Sequence, residues 1–272
     1  MKMEQAKELA ENALEQLILA VEQGGSDALK RYLEAMSRFY EYSFGNVMLI
    51  VMARPDATRV AGFQTWKKLG RYVKEGEKGI VIIAPMALRK KHGEANGQAD
   101  SPDEKHDEET ILRFRAVYVF DVSQTDGEPL PDFARVGGSL NGETELLKAF
   151  VTTQGITLEY ADHLGSAHGA SLGGRILLRS DLPPAEEFSV LVHELAHEML
   201  HRDDRRKDTT KTIRETEAEA VAFVVSKAIG LDTNTAASDY IRLYHGDKET
   251  LAQSLGHIQQ TATKILAALD RG

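Results

Sequence analysis

Hydrophobic positions follow a helical period at the start of the chain and a strand-like pattern further along. Apolar residues between Ala6 and Ile18 recur every three to four positions, and Gly24-Gly25 is a typical helix end. β-Branched and aromatic residues dominate two later runs, which favours strands. The elements predicted in this half are two helices within the first forty residues, helices at Asn46–Ala53 and Phe63–Leu69, and strands at Gly79–Pro85 and Leu112–Val122.

The second half is richer in helical patterns and has only short strand-like runs. A long helix is predicted to begin near Pro184, because proline suits the first helical turn, and to end at His201. The whole pattern predicts an α+β fold: N-terminal helices with a small antiparallel sheet, then a mostly helical part with a short sheet. The other elements predicted here are helices at Glu143–Thr153, Thr212–Ile229, Ala236–Tyr244 and Lys248–Leu269, strands at Ile156–Tyr160 and Arg175–Arg179, and a glycine-rich turn at 165–174.

Two segments lack hydrophobic periodicity and divide the chain. Residues 125–141 hold five glycines and prolines, so we interpret them as a linker between a domain at 1–124 and a domain at 142–272. Residues 92–110 are polar and strongly acidic, and are predicted to form a mobile loop within the first domain.

Composition excludes several classes of protein. The 272 residues are 42% hydrophobic and 28% charged, as in a globular protein. The chain has no cysteine, which excludes a disulfide framework, a thiol nucleophile and a cysteine-ligated zinc site, and fits a reducing compartment. No apolar run approaches the ~18–20 residues that cross a bilayer. We therefore expect a cytoplasmic protein with no membrane partner.

Charge is distributed unevenly along the chain. The net charge is −9, yet residues 54–91 carry ten lysines and arginines against three acids. A basic segment on an otherwise acidic protein is typical of a nucleic-acid interface. A solvated surface with no partner remains the alternative.

The segment His193-Glu-Leu-Ala-His197 has the spacing of a metal-binding helix. Histidines at positions i and i+4 face one side of a helix, so both imidazoles can reach one cation. Glu194 lies between them and can take a proton from a metal-bound water and deliver it to a leaving amine. The alternative is a buried helix with two hydrogen-bonded histidines. His201, one turn further on, is interpreted as a helix C-terminal residue favourable to the dipole.

The next predicted helix offers a third ligand. Glu215 and Glu219 lie one turn apart on one face, and the opposite side of that helix is apolar. We predict that Glu219 completes a site for Zn²⁺, with Mn²⁺ as the other possible ion, and that Glu215 orients a histidine or exchanges roles with Glu219. Glu217 is predicted to point away into solvent. The strand Arg175–Arg179 is predicted to offer its edge to an extended peptide.

Aromatic residues and cations are interleaved in the basic segment. Cations follow phosphates and aromatic rings stack on exposed bases, so this mixture favours single-stranded nucleic acid. The alternative is that Phe63 and Trp66 are the buried face of a helix. The candidate DNA-binding residues are Arg59, Trp66, Lys67, Lys68, Arg71, Lys74 and Lys78.

Four blocks of sequence resemble one known family. SFGNVMLIVMARPDATRVAGFQTWKKLGRYVKEGEKGIVIIAPM and FDVSQTDGEPLP resemble the N-terminal single-stranded-DNA-binding domain of ArdC-type antirestriction proteins. HELAHEMLHR with RETEAEAVAF is similar to their zincin-like peptidase domain, which is related to the ImmA/IrrE peptidases. The resemblance implies a plasmid- or phage-borne protein that coats incoming single-stranded DNA and shields it from host restriction.

For the second domain, the same resemblance implies a gluzincin-like metallopeptidase fold. By motif, His193, His197 and Glu219 match the family's metal ligands, and Glu194 matches its catalytic glutamate. The protein substrate stays unknown. Two other functions stay open: a DNA-binding protein whose metal is structural or vestigial, and a regulatory peptidase that cleaves a repressor.

Overall fold

The computed structural model describes residues 3–23, 26–89, 110–130, 140–231 and 248–270. Within these ranges the chain has the predicted α+β fold, with helices in both halves and small sheets between them. The predicted acidic loop lies outside the described residues except for Thr110, which begins a strand. The helix predicted at Ala236–Tyr244 also lies outside them.

In the N-terminal half, the part of the chain that the structure describes combines four helices with two small antiparallel sheets. In the larger sheet, of strand order β1-β4-β3, the long β3–β4 pair runs in register from Ile80 opposite Val119 to Arg89 opposite Thr110. In the smaller sheet, β2 pairs with β5. The elements of this half are α1 (Met3–Glu22), α2 (Ser26–Arg38), α3 (Phe44–Ala53), β1 (Val60–Gly62), α4 (Phe63–Lys68), β2 (Arg71–Val73), β3 (Ile80–Arg89), β4 (Thr110–Asp121) and β5 (Thr125–Gly127).

The first three residues of the predicted linker belong to the N-terminal half, because they form β5. Thr125 is buried there, and its side-chain hydroxyl accepts a hydrogen bond from Nε of Arg71. Gly127 has φ +131°, and a Cβ at this position would lie 2.3 Å from the carbonyl oxygen of Gly70. Only glycine allows this close backbone approach, so the residue reflects strand pairing instead of linker flexibility. The division into two domains otherwise stays a prediction.

In the C-terminal half, the described residues form five helices and one three-stranded sheet. Its strand order is β6-β8-β7, with β6 parallel and β7 antiparallel to β8. The elements are α5 (Leu140–Thr153), β6 (Thr157–Ala161), β7 (Gly169–Ser171), β8 (Arg175–Arg179), α6 (Pro184–Leu200), α7 (Asp203–Asp208), α8 (Lys211–Ala228) and α9 (Lys248–Leu269).

The strand predicted to offer its edge to a peptide is the central strand of this sheet. Arg175–Arg179 pairs with β6 on one side and β7 on the other, so both of its edges are occupied. Within the described residues, β7 is the edge strand beside α6. It lies in the segment predicted to be only a glycine-rich turn.

One hydrophobic core joins the two halves. Leu33 of α2 belongs to the same cluster of buried side chains as Val221 of α8, and the two helices are in contact. Gln259 of α9 donates hydrogen bonds to the carbonyl oxygens of Tyr40 and Tyr42, at 2.8 and 3.0 Å. Helix α8 is therefore in contact with helices of both halves: α2 of the N-terminal half, and α6 and α9 of the C-terminal half. Among the described residues, none of the helices combines the length and apolarity needed to cross a membrane.

Candidate functional site

Helix α6 brings two histidines together at the centre of the C-terminal half. His193 and His197 lie one turn apart, with 3.1 Å between their Nε2 atoms. Leu191, Val192 and Leu195 of the same helix are fully buried, which fixes its rotation relative to the core. The two imidazoles therefore face one point at the side of the helix, as the i, i+4 spacing predicts.

Glu215 of α8 faces that same point. Its Oε2 atom lies 3.7 Å from Nε2 of His193 and 3.5 Å from Nε2 of His197. Ligands about 2.05 Å from a tetrahedral metal ion are separated by about 3.3 Å, so these three atoms nearly form one face of such a tetrahedron. Among the described residues, His193, His197 and Glu215 form the group with the geometry to hold a metal ion.

Glu219, one turn along α8, contacts the other side of the His193 ring. Its Oε2 atom lies 3.4 Å from Nδ1 of His193, the nitrogen that points away from His197. A carboxylate in this place orients a ligand histidine. The geometry thus favours the exchange of roles that the sequence left open, with Glu215 on the ligand side and Glu219 behind the ring.

The two carboxylates control the charge of the site. Burial alone would lower the pKa of His193, but Glu215 and Glu219 raise it to about 9. Hydrogen bonds from His193 and His197 hold the pKa of Glu215 well below its usual range. The centre is therefore built to keep an anionic oxygen beside two imidazoles.

Glu194 is buried against the edge strand β7. Burial raises the pKa of this carboxyl, although a hydrogen bond from the backbone of Ser171 opposes the shift. A Cβ at Gly169 would lie 2.8 Å from Cγ of Glu194 and 2.7 Å from Cγ1 of Val190. Gly169 therefore lets β7 approach the glutamate, a role that sequence reasoning missed because nothing in a glycine-rich segment distinguishes this glycine.

A second buried carboxylate fixes the turn after β7. Glu198 accepts hydrogen bonds from Oγ of Ser171 at 2.6 Å and from the backbone N–H groups of Gly173 and Gly174 at 2.8 and 2.7 Å. Burial would raise its pKa, but these bonds and one from Arg202 lower it. Glu198 thus ties the edge strand to α6. Sequence analysis missed it, and its only signal was an acidic residue four positions after Glu194 on a buried helix.

Two residues next to the site differ from their predicted environments. Glu217, predicted to point into solvent, is fully buried between α6, α7 and α9. Its carboxylate accepts a 2.8 Å hydrogen bond from Nε2 of His201 and two, at 2.9 and 2.7 Å, from Arg205. Burial would raise the pKa of Glu217, but these partners lower it to about 2. His201 does end α6, but it is buried in this pair and its ring nitrogens are hydrogen-bonded.

A cleft of about 300 Å³ opens beside the three converging atoms. One wall is β7 and the opposite wall is the start of α8, so the cleft runs along the edge strand. The residues that line it are Gly169, Ala170, Ser171, His193, Glu194, His197, Arg206, Lys211, Arg214 and Glu215.

The candidate DNA-binding residues of the N-terminal half divide into buried and exposed groups. Trp66 is 2% exposed, and its indole N–H donates a 2.9 Å hydrogen bond to the carbonyl oxygen of Phe120. It cannot stack on a base without unfolding α4, so the structure does not support its predicted place at the interface. The buried alternative holds for Trp66 but not for Phe63, whose side chain is 49% exposed. The guanidinium of Arg71 is also used within the fold. It donates to the backbone carbonyls of Thr125 and Glu128 and so joins β2 to the end of β5.

The other five candidates are exposed, and residues 121–124, at the end of β4 and just after it, contact three of them. The carboxylate of Asp121 accepts from the backbone N–H of Arg59, and Nζ of Lys74 donates to the carbonyl oxygen of Ser123. The backbone of Lys78 is held by the side chain of Gln124. Four aromatic side chains of this half are about half exposed: Phe63, Tyr72, Phe114 and Tyr118. The exposed candidates are Arg59, Lys67, Lys68, Lys74 and Lys78.

Family comparisons assign a different domain to each half of the chain. Residues 7–120 match the N-terminal domain of the anti-restriction factor ArdC. Residues 148–261 match the IrrE N-terminal-like domain of peptidase family M78. The chain is 26% identical over 278 aligned residues to an uncharacterized Bacillus anthracis protein, pXO2-81, covering 87% of this chain but 46% of that protein. It thus spans about half the length of this curated relative.

One solved structure shows the same overall fold. The metal-free crystal structure of the antirestriction protein ArdC from plasmid R388 aligns with a TM-score of 0.52 at 16% identity, covering 97% of this chain and 98% of that one. The Mn(II)-bound structure of that protein aligns with a TM-score of 0.48, covering 88% and 97%. At 16% identity, the metal-free structure shows a shared fold.

Proposed function

Because this chain belongs to the ArdC-type antirestriction proteins and joins their N-terminal domain to an IrrE-like peptidase domain, we propose that it binds single-stranded DNA and carries a metallopeptidase centre. In this role it protects the incoming DNA of a mobile element from host restriction. The observation that carries the peptidase half of the proposal is the convergence of His193, His197 and Glu215.

His193, His197 and Glu215 would hold a divalent cation, which is Zn²⁺ in our proposal and for which Mn²⁺ is the alternative. Two imidazoles and one carboxylate suit a catalytic zinc site, since they leave a position open for water. When bound, the ion lowers the pKa of that water so that it can lose a proton near neutral pH. Glu194, whose burial raises the pKa of its carboxyl, would accept that proton and pass it to the leaving amine.

The edge strand β7 suits an extended peptide substrate. The backbone N–H of Arg179 donates to the carbonyl of His168, and that of Leu172 donates to the carbonyl of Arg175. In an antiparallel pair every second residue makes such bonds, so His168, Ala170 and Leu172 face β8. The carbonyl groups of Gly169 and Ser171 therefore face the outer edge, beside Glu194. An added strand would pair with them and lie across the cleft. The sequence and chemistry of the protein substrate stay unknown.

Metal binding should distinguish the two candidate carboxylates. We expect Glu215→Gln to weaken Zn²⁺ affinity by more than about 100-fold, because it loses a ligand, and Glu219→Gln to weaken it by about 10- to 100-fold, because it only loosens the ring of His193. The measurement is competition for Zn²⁺ with a chromophoric chelator. A larger loss in Glu219→Gln would make Glu219 the ligand, as the family motif implied.

Exposed cations and aromatic rings support the DNA half of the proposal. Lys67 and Lys68 are exposed at the end of α4, and Phe63 at its start is 49% exposed. Cations beside a partly exposed ring are the combination that binds phosphates and stacks bases of a single strand.

Salt dependence tests this interface. We expect wild-type protein to bind a labelled oligonucleotide more tightly than the matching duplex, with an affinity that falls as salt rises. In the double variant Lys67→Ala/Lys68→Ala the salt slope should decrease by about 1.4, since each phosphate contact on a single strand contributes about 0.7. Lys30→Ala, an exposed lysine of α2 outside the basic segment, is the matched control. An unchanged slope in the double variant would move the interface elsewhere.

A further inference from the structure

A continuous line of hydrogen-bonded side chains leads from the metal centre into the core. It runs from His197 to His201, then to Glu217, and ends at Arg205. We propose that His201 is a positioning residue that fixes the tautomer and orientation of His197 as a metal ligand, with Glu217 and Arg205 holding His201 in turn. This inference rests on the metal centre of the proposed function, and it adds three residues that act without touching the ion.

The backbone of α6 places the two rings in line. The N–H of His201 still donates to the carbonyl oxygen of His197, so the final helical turn is intact at this residue. The rings of His197 and His201 are 5.1 Å apart between centroids, and their Nδ1 atoms are 3.1 Å apart. The side chain of His201 is 0% exposed, so water does not compete for this contact.

The direction of each hydrogen bond follows from the far end of the line. Arg205 donates two hydrogen bonds to Glu217, which keeps this buried carboxylate ionised and therefore an acceptor. Nε2 of His201, at 2.8 Å, must then carry the proton that it donates to Glu217. In neutral His201 that leaves Nδ1 as an acceptor facing His197.

The acceptor at Nδ1 of His201 determines where His197 carries its proton. Two N–H groups cannot face each other at 3.1 Å, so when Nδ1 of His201 accepts, Nδ1 of His197 donates. A neutral His197 protonated on Nδ1 has its lone pair on Nε2, the atom that faces Nε2 of His193. The line thus selects the tautomer of His197 that can bind a metal ion, and it prevents rotation of the ring.

The two ligand histidines are consequently held in different ways. Behind the ring of His193 lies a partly exposed carboxylate, that of Glu219. Behind the ring of His197 lies the buried neutral imidazole of His201. A purely structural Arg205–Glu217 pair between α7 and α8 would not require a histidine at the end of α6. The side chain of Ser254 in α9 also hydrogen-bonds Glu217, so the carboxylate is anchored from three helices.

Zn²⁺ affinity of full-length variants tests the inference. We expect His201→Leu to bind Zn²⁺ about 10- to 100-fold more weakly than wild type in chelator competition, as for other residues that orient a metal ligand. His201→Asn, which can present an acceptor oxygen near the position of Nδ1, should recover at least part of that loss. His163→Leu, at an exposed histidine, is the matched control. A loss of affinity smaller than about tenfold in His201→Leu would overturn the proposal.

A spectroscopic measurement on wild-type protein keeps the test independent of variant folding. Long-range ¹H–¹⁵N spectra of the Zn²⁺-loaded protein should show His201 protonated on Nε2 and His197 protonated on Nδ1. A proton on Nδ1 of His201 would overturn the proposal. If wild type binds no Zn²⁺ at all, the proposed metal centre itself fails, and this outcome is distinct from tight binding that is indifferent to His201.

Discussion

Replacement of Glu194 by glutamine is expected to reduce peptide hydrolysis by about 10²- to 10⁴-fold, the usual contribution of a general base. The amide has nearly the same shape as the carboxylate but cannot accept the proton of a bound water. Zn²⁺ affinity should change little, because His193, His197 and Glu215 are untouched. Hydrolysis is measured on a proteome-derived peptide library, by counting the new N-termini that Zn²⁺-loaded protein generates in mass spectrometry.

The control for this experiment is Glu145→Gln, which changes an exposed carboxylate on α5. Equal numbers of new N-termini from wild type and Glu194→Gln would show that Glu194 is not the general base. The same variant separates the functions that the sequence left open. Protection of transferred DNA that persists in Glu194→Gln would favour shielding with a structural metal, whereas loss of protection would tie antirestriction to proteolysis.

Periodicity was sufficient to predict the helix that carries the two histidines. The i, i+4 spacing and the buried residues around it determine which side of α6 faces the cleft, so His193 and His197 meet as expected. The same reasoning could not order Glu215 and Glu219, because both lie on one face of α8. Which carboxylate reaches the ligand side depends on how far α8 is displaced along α6, and that offset is set by packing in the whole core.

The buried partners of the site depend on contacts between distant residues. Glu217 seemed solvated because it is rotated away from Glu215 on α8, yet Arg205 neutralises its charge there and His201 donates a hydrogen bond to it. A carboxylate can occupy a core position only when such partners are present, and a single helical pattern does not contain them. Gly169 was missed for the same reason, since its importance lies in the proximity of Glu194.

Aromatic residues in a basic segment were equally ambiguous before the fold was known. Phe63 and Trp66 are three residues apart on α4, and the spacing was compatible with two rings that stack on bases or with two rings that form the buried face of the helix. The structure buries Trp66, whose N–H bonds to Phe120, and leaves Phe63 49% exposed. A stability experiment can therefore separate the ring that holds the fold from the ring that is available to a base.

Trp66→Ala is expected to lower the free energy of unfolding by about 3–5 kcal/mol, the usual cost of deleting a large buried ring. Phe63→Ala should change it by less than about 1 kcal/mol, because half of that ring is already in water, and should instead weaken single-stranded DNA binding by about 1–3 kcal/mol. Urea denaturation measures the free energy of unfolding, and fluorescence anisotropy of a labelled oligonucleotide measures DNA binding.

The two substitutions should affect different quantities: Trp66→Ala the free energy of unfolding, and Phe63→Ala the affinity for single-stranded DNA. Trp66→Phe is the conservative control: it keeps a ring in the core but loses the hydrogen bond to Phe120, at a cost of about 1 kcal/mol for the bond. Binding by Trp66→Phe, measured where the variant is folded, should match wild type. Weakened binding in folded Trp66→Phe with normal binding in Phe63→Ala would place the indole at the DNA after all, and α4 would then have to open when the strand binds.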